Sequence, residues 1–326
     1  MKKPREFIKL ALCCAIGLFL LSACVLGNGA HAAPHTPTAP ATPRFSAPAP
    51  ASHTIAFHNA SSATSTPHPP TVTPTPTSPP PPACLQKPGT IQAGWLPDKA
   101  LPTPMAVLVY LPPCYHEHKN QTYPVLYLLH GQGYSQQQWV RLGATRTADR
   151  LIAAGEAPPF IIVMPRELVW KDPPKTGFDE AFLRTLMPWV DNTFRTRRER
   201  RYRAIGGLSR GAAWAIHFGL QRWDLFGSIG AHSPPVFWSD VNSVKRWLFS
   251  IPYGKWPRIY MDIGNKDTPE IMDSAVWFEK EVLTPNGIPH EWHLNQGMHN
   301  EKYWSGHVEE YLQWYTAPWK ENEASR

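Results

Sequence analysis

A serine hydroxyl, an imidazole and a carboxylate can together break an acyl bond, and this chain carries one of each in a setting that suits the work. Ser209 sits in Gly207-Leu208-Ser209-Arg210-Gly211, directly after the apolar run Tyr202–Gly206. Where a strand turns abruptly into a helix, G-x-S-x-G leaves the serine on a strained elbow with its hydroxyl in open space. The flanking glycines are required because side chains there would collide. A free serine hydroxyl is a weak nucleophile, so the elbow matters only if a base and an acid reach it. His299, in Gly297-Met298-His299-Asn300, is the candidate base, and Asp267, in Gly264-Asn265-Lys266-Asp267, is the candidate acid.

In such a constellation His299 takes the Ser209 proton as the hydroxyl attacks a carbonyl, then hands it to the leaving group. Asp267 orients the ring. The oxyanion that forms needs backbone N–H donors. The two expected are that of Arg210, after the nucleophile, and that of Gln132 in the turn His130-Gly131-Gln132-Gly133. Asp262 is the alternative acid, but it falls inside an apolar strand run. His130 and His232 are candidates for pocket lining, as are Trp170 and Trp238, which suit an aromatic or sugar-binding cleft together with Trp139 and Trp304. Arg210 is placed to reshape that pocket or to favour an anionic substrate. His116-Glu117-His118 lies in a polar loop, and His290-Glu291-Trp292-His293 would point its histidines to opposite faces of a strand, so no metal site is expected. No cofactor is expected either.

These residues need elements to bring them together. From Cys84 onward, short apolar runs alternate with longer amphipathic ones. Strands are expected at 105–111, 123–129, 160–164, 202–206, 225–231, 258–263 and 290–294. Helices are expected at 136–154, 178–194, 211–221, 243–249, 271–283 and 308–315. Such alternation implies an α/β fold, one mostly parallel sheet covered by helices on both faces. Parallel sheets gather their sites at the carboxyl ends of strands, where Ser209, the 130–133 turn, Asp267 and His299 all fall. The order is Ser, Asp, His, with separations of 58 and 32 residues, enough for the intervening elements.

The start of the chain has a different character. Lys2, Lys3, Arg5 and Lys9 precede or open an apolar stretch, Leu10–Leu21, which is shorter than the roughly 20 residues a membrane span needs. Residues 1–23 are therefore expected to be an export signal. Leu21-Ser22-Ala23-Cys24 suits lipoprotein processing, with Cys24 as the lipidated residue, while Ala30-His31-Ala32 offers an ordinary cleavage site. Residues 24–83 are dominated by Pro, Thr, Ala and Ser and are expected to be an extended, disordered linker. Residues 84–326 form the expected catalytic domain. Cell-surface attachment through a lipid is the favoured location and free secretion the alternative.

The chain's formal charge of +7 falls to +4 without residues 1–23. The arginine run 195–203 contains Glu199 and only one aromatic, Tyr202, so a solvated turn is expected there rather than a nucleic-acid surface. Cys84 and Cys114 are the only cysteines after Cys24, and an exported chain with one such pair is expected to join it.

At these residues the chain resembles the putative-esterase family of α/β-hydrolases. That family includes S-formylglutathione hydrolase, enterochelin esterase, feruloyl and acetylxylan esterases, and mycolyltransferases. The resemblance spans about 107–314 and rests on Val109-Tyr110-Leu111-Pro112-Pro113, Tyr127-Leu128-Leu129-His130-Gly131, Gly206–Gly211, Phe226–Pro234, Gly264–Asp267 and Gly297-Met298-His299. It implies the α/β-hydrolase fold, with Ser209 as nucleophile, Asp267 as acid and His299 as base. The activity it implies is hydrolysis of a small-molecule, carbohydrate or lipid ester through an acyl-serine intermediate. An acyltransferase of the same fold and a non-catalytic surface lipoprotein are the alternatives. Ala212 and Ala213 stand where members often carry glycine, and Arg210 stands where Met or a small residue is commoner.

Overall fold

Five consecutive buried residues in each of Val125–Leu129 and Ile161–Pro165 mark strands covered on both faces, and the sheet is built around them. A computed structural model of the chain describes residues 82–173 and 175–324. The expected export signal (1–23), Cys24 and nearly all of the expected linker lie outside the described residues.

Among the described residues, eight strands form one sheet. They are β1 (Thr90–Leu96), β2 (Met105–Leu111), β3 (Val125–Leu129), β4 (Ile161–Pro165), β5 (Arg203–Leu208), β6 (Ser228–His232), β7 (Arg258–Lys266) and β8 (Glu291–Met298). Their order across the sheet is β1-β2-β4-β3-β5-β6-β7-β8. β2 runs antiparallel to both neighbours, and every pairing from β4 through β8 is parallel. The carboxyl ends of β3, β5, β7 and β8 therefore lie on one edge of the sheet, as the strand-helix alternation requires.

Helices cover both faces: α1 (Gln138–Leu142), α2 (Ala144–Ala153), α3 (Phe178–Ala181), α4 (Met187–Thr193), α5 (Arg210–Gln221), α6 (Val244–Ser250), α7 (Pro269–Trp277) and α8 (Glu301–Ala324). One face packs Phe178, Phe182, Trp214 and Phe218 with the aliphatic side chains of the strands. The other packs Trp139, Leu151, Tyr311, Tyr315 and Trp319. No helix of the described residues is long and apolar enough to cross a membrane.

Several expected boundaries shift for local reasons. β1 was not expected: its residues are mostly exposed and carry little periodic signal, and the strand exists through its pairing with β2. The helix expected over 136–154 is broken at Gly143, whose φ of 100° ends α1. π-helical turns, wider than the α-helix, at Phe182–Leu186 and Phe278–Leu283 continue α3 into α4 and extend α7. β8 and α8 both run longer than expected, which leaves His299 in the two-residue link between them.

Cys84 and Cys114 are joined in a disulfide with a Cα–Cα distance of 5.1 Å. It ties the short helical turn Ala83–Gln86 to the segment just past β2.

Candidate active site

The elbow is a consequence of crowding. Ser209 takes φ 53°, ψ −122°, a left-sided conformation that non-glycine residues rarely adopt, between the end of β5 and the start of α5. Its N–H donates to the His232 carbonyl (2.8 Å), and its own carbonyl accepts from Ala212 (2.8 Å) and Ala213 (3.1 Å). A side chain on Gly207 would run into the backbone of Gly211, and one on Gly211 would run into the carbonyls of Leu129 and His130. The helix can leave the strand this steeply only because both positions lack a Cβ.

The three expected partners meet. His299 Nε2 lies 2.9 Å from Ser209 Oγ, and His299 Nδ1 lies 2.8 Å from Asp267 Oδ1. A carboxylate only accepts, so Nδ1 carries the proton and Nε2 is left to accept from the serine hydroxyl. Asp267 follows β7 directly, and its Oδ1 also accepts the Thr268 N–H at 2.7 Å. The Asp267 side chain is shielded from solvent, while that of His299 is 21% exposed. Trp304 stands edge-on to the His299 ring, centres 4.9 Å apart, and donates its indole N–H to Ser233 Oγ (3.2 Å).

The turn after β3 lies against Ser209: a Cβ on Gly131 would be 3.7 Å from Ser209 Cβ. Gly131 N–H is fixed by Gln138 Oε1 (2.9 Å) and its carbonyl accepts from Tyr134 (3.2 Å). Arg210 is the first residue of α5, so its N–H has no partner within the helix.

His130 and His232, expected to line a pocket, do not. They are 4% and 0% exposed, and their ring nitrogens are engaged inside the protein. His130 Nε2 accepts the Glu167 N–H (2.9 Å), so Nδ1 carries the proton and donates to Gly131 O (2.8 Å). Burial pushes the His130 pKa down to about 4. His232 Nδ1 bonds Asp262 Oδ1 at 2.6 Å, which also accounts for Asp262: the rejected alternative acid has a histidine of its own. Trp170 and Trp238 are exposed, at 54% and 84%.

Arg210 is the largest departure from expectation. Its guanidinium is paired within the protein rather than left open for an anionic substrate. Its Nε and Nη2 donate to the two Glu167 oxygens (2.7 and 2.6 Å), and Nη2 also donates to the carbonyls of Val169 (3.2 Å) and Lys171 (2.6 Å). Its guanidinium lies over the Phe237 ring, 5.0 Å from the centre. Both partners are nearly enclosed, and burial raises the Glu167 pKa against the opposing pull of Arg210. The arginine therefore holds down the loop after β4. Asp172 of the same loop accepts the Ser239 N–H (3.2 Å), linking it to the loop after β6. These contacts place Trp170 and Trp238 on two cross-linked loops beside the elbow. Glu167 was missed because its partner comes from 43 residues away; its place just past a buried strand was the available signal.

Comparison with known proteins identifies the family. Over 203 residues the chain is 31% identical to an endo-1,4-beta-xylanase/feruloyl esterase of Xylanibacter ruminicola, a match covering 56% of this chain and 26% of that protein. It is 29% identical over 263 residues to Esterase Rv1288 of Mycobacterium tuberculosis, covering 64% of this chain and 54% of that protein. The chain thus matches about a quarter and about half of these relatives' lengths. Among solved structures, a ferulic acid esterase superposes with a TM-score of 0.63 at 26% identity, covering 71% of this chain and 98% of the other. The model of the family described as "Putative esterase" matches residues 99–315. With the sheet order, the elbow and that match together, the chain belongs to this esterase family of α/β-hydrolases.

Proposed function

We propose that the protein is a serine carboxylic-ester hydrolase in which Ser209, His299 and Asp267 form the catalytic triad. The observation that carries this reading is the unbroken line from Asp267 Oδ1 through the His299 ring to Ser209 Oγ, with contacts of 2.8 and 2.9 Å.

Ser209 Oγ bonds to the ester carbonyl carbon as its proton passes to His299 Nε2. The carbonyl oxygen becomes an oxyanion held by the N–H groups of Gln132 and Arg210. Asp267 stabilises the imidazolium formed on the way. The carbon–oxygen bond to the leaving group breaks, His299 returns the proton to that oxygen, and the alcohol departs to leave acyl-Ser209. A water then repeats the sequence and releases the acid. Ser209→Ala is expected to stay folded and to lose p-nitrophenyl acetate hydrolysis by three orders of magnitude or more. Retention of full activity would refute the reading.

Feruloyl esterases among the relatives and structural neighbours support an ester of an aromatic acid on a carbohydrate as the first substrate to try. The exposed indoles of Trp170 and Trp238, on the loops after β4 and β6 that Asp172 links, favour the same choice. The Cys84–Cys114 disulfide and the basic-then-apolar start of the chain support export, with Cys24 as the lipidated residue. Mass spectrometry of the native N-terminus should find a diacylglyceryl group on Cys24; an unmodified start at Ala33 would contradict it.

A further inference from the structure

Beneath the Ser209–His299 line lies a second, fully enclosed histidine–carboxylate pair. Asp262 and His232 are each 0% exposed. Asp262 Oδ1 faces His232 Nδ1, while Oδ2 accepts the hydroxyls of Tyr303 (2.6 Å) and Tyr311 (2.7 Å). His232 Nε2 lies 3.0 Å from the Tyr315 hydroxyl. Burial first, and the Asp262 charge second, hold the phenols of Tyr303 and Tyr311 far above their usual range, so both stay protonated and donate.

The cluster grips the active site from below. The backbone carbonyls of its two strand-borne members hold the elbow and its neighbour: His232 O accepts from Ser209 N–H, and Asp262 O accepts from Ser233 N–H (2.7 Å). Tyr303 connects it to the base. The Tyr303 ring fills the space where a Gly297 side chain would stand, two residues before His299. Its N–H bonds Asn300 Oδ1 (3.1 Å), one residue after His299, and its hydroxyl also accepts from Asn295 Nδ2 (3.3 Å). Trp304, the residue that follows, is the one that stands against the His299 ring. Tyr311 donates to the same Asp262 oxygen, but it lies two turns further along α8 and stacks on His232, ring centres 3.6 Å apart.

We propose that Asp262 is a positioning residue: through the Tyr303 hydroxyl it fixes the link Gly297–Asn300, and so sets the reach of His299 to Ser209. This rests on the hydrolase reading above. It gives the rejected alternative acid a role one step removed from the reacting atoms. It also separates two phenols that are chemically alike, since only one of them touches the base-bearing link.

The test compares Tyr303→Phe with Tyr311→Phe, each losing one hydroxyl on the same carboxylate oxygen and keeping its ring. Hydrolysis of p-nitrophenyl acetate, the rate of labelling by a fluorophosphonate, and melting temperature are measured for both. Tyr303→Phe is expected to lower kcat about tenfold with KM within about twofold, and to slow labelling in parallel, as a small misplacement of the base should. Tyr311→Phe is expected to keep kcat within about twofold, although both variants lose roughly 3–8 °C of melting temperature. A Tyr303→Phe kcat within twofold of the parent overturns the proposal, and so does a Tyr311→Phe kcat that falls equally far. If Tyr303→Phe is too unstable to handle, Asn295→Ala removes the other partner of the same hydroxyl. There kcat is expected to fall about threefold at constant KM, and an unchanged kcat overturns the proposal. Absence of turnover and labelling in the parent protein would bring down the hydrolase reading itself, and this proposal with it.

Discussion

At His130 the imidazole is 4% exposed, and its nitrogens are shared between the Gly131 carbonyl and the Glu167 N–H. A proton added at Nε2 would break the bond to Glu167 and place a charge where water cannot reach it. The folded pKa of about 4 lies below the ordinary value of 6.5. Between those values the unfolded chain binds the proton and the folded chain does not, so stability falls as pH falls through that window. The loss attributable to this one ring is expected to reach roughly 2–3 kcal/mol by pH 4.5. His130→Gln keeps an acceptor for Glu167 without a titrating group. Urea unfolding of this variant between pH 7 and 4.5 should therefore show a shallower loss than the parent; equal slopes would refute the assignment. Arg210 makes a related point about legibility. Its charge and its place after Ser209 were plain in the sequence, but its role depends on Glu167, which only folding delivers.

At the scale of elements, strand ends were legible because a two-sided sheet demands unbroken apolar runs, and β3 and β4 supply them. β1 was not, because an exposed edge strand has no buried face to impose a pattern. The elbow glycines were legible from turn geometry alone. Gly206 and Gly230 were not: they sit opposite each other on β5 and β6, and a side chain on either would collide with the Tyr315 hydroxyl arriving from α8. That hydroxyl lies against the face of both strands where it meets His232, so the composition of two strands is set by one residue of the closing helix. The same holds for Gly297, kept bare by Tyr303. Such pairings leave no periodic trace, and a single sequence does not reveal them.

At the scale of the whole molecule, the parallel part of the sheet does the collecting. Ser209 and His299 are 90 residues apart in sequence, yet each emerges at the same edge because β5, β7 and β8 run the same way. The disulfide works at the opposite end of the order, where β1 and β2 are antiparallel. Closing a 30-residue separation there removes roughly 3–4 kcal/mol of unfolded-state freedom in the chain-entropy model. The direct test of the central claim is to treat the native protein with a fluorophosphonate, digest it, and locate the phosphonyl group by mass spectrometry. One group on Ser209, absent after heat denaturation before treatment, is the expected result. A native protein that takes up no group, or takes it up on another residue, would contradict the proposal that Ser209 is the nucleophile.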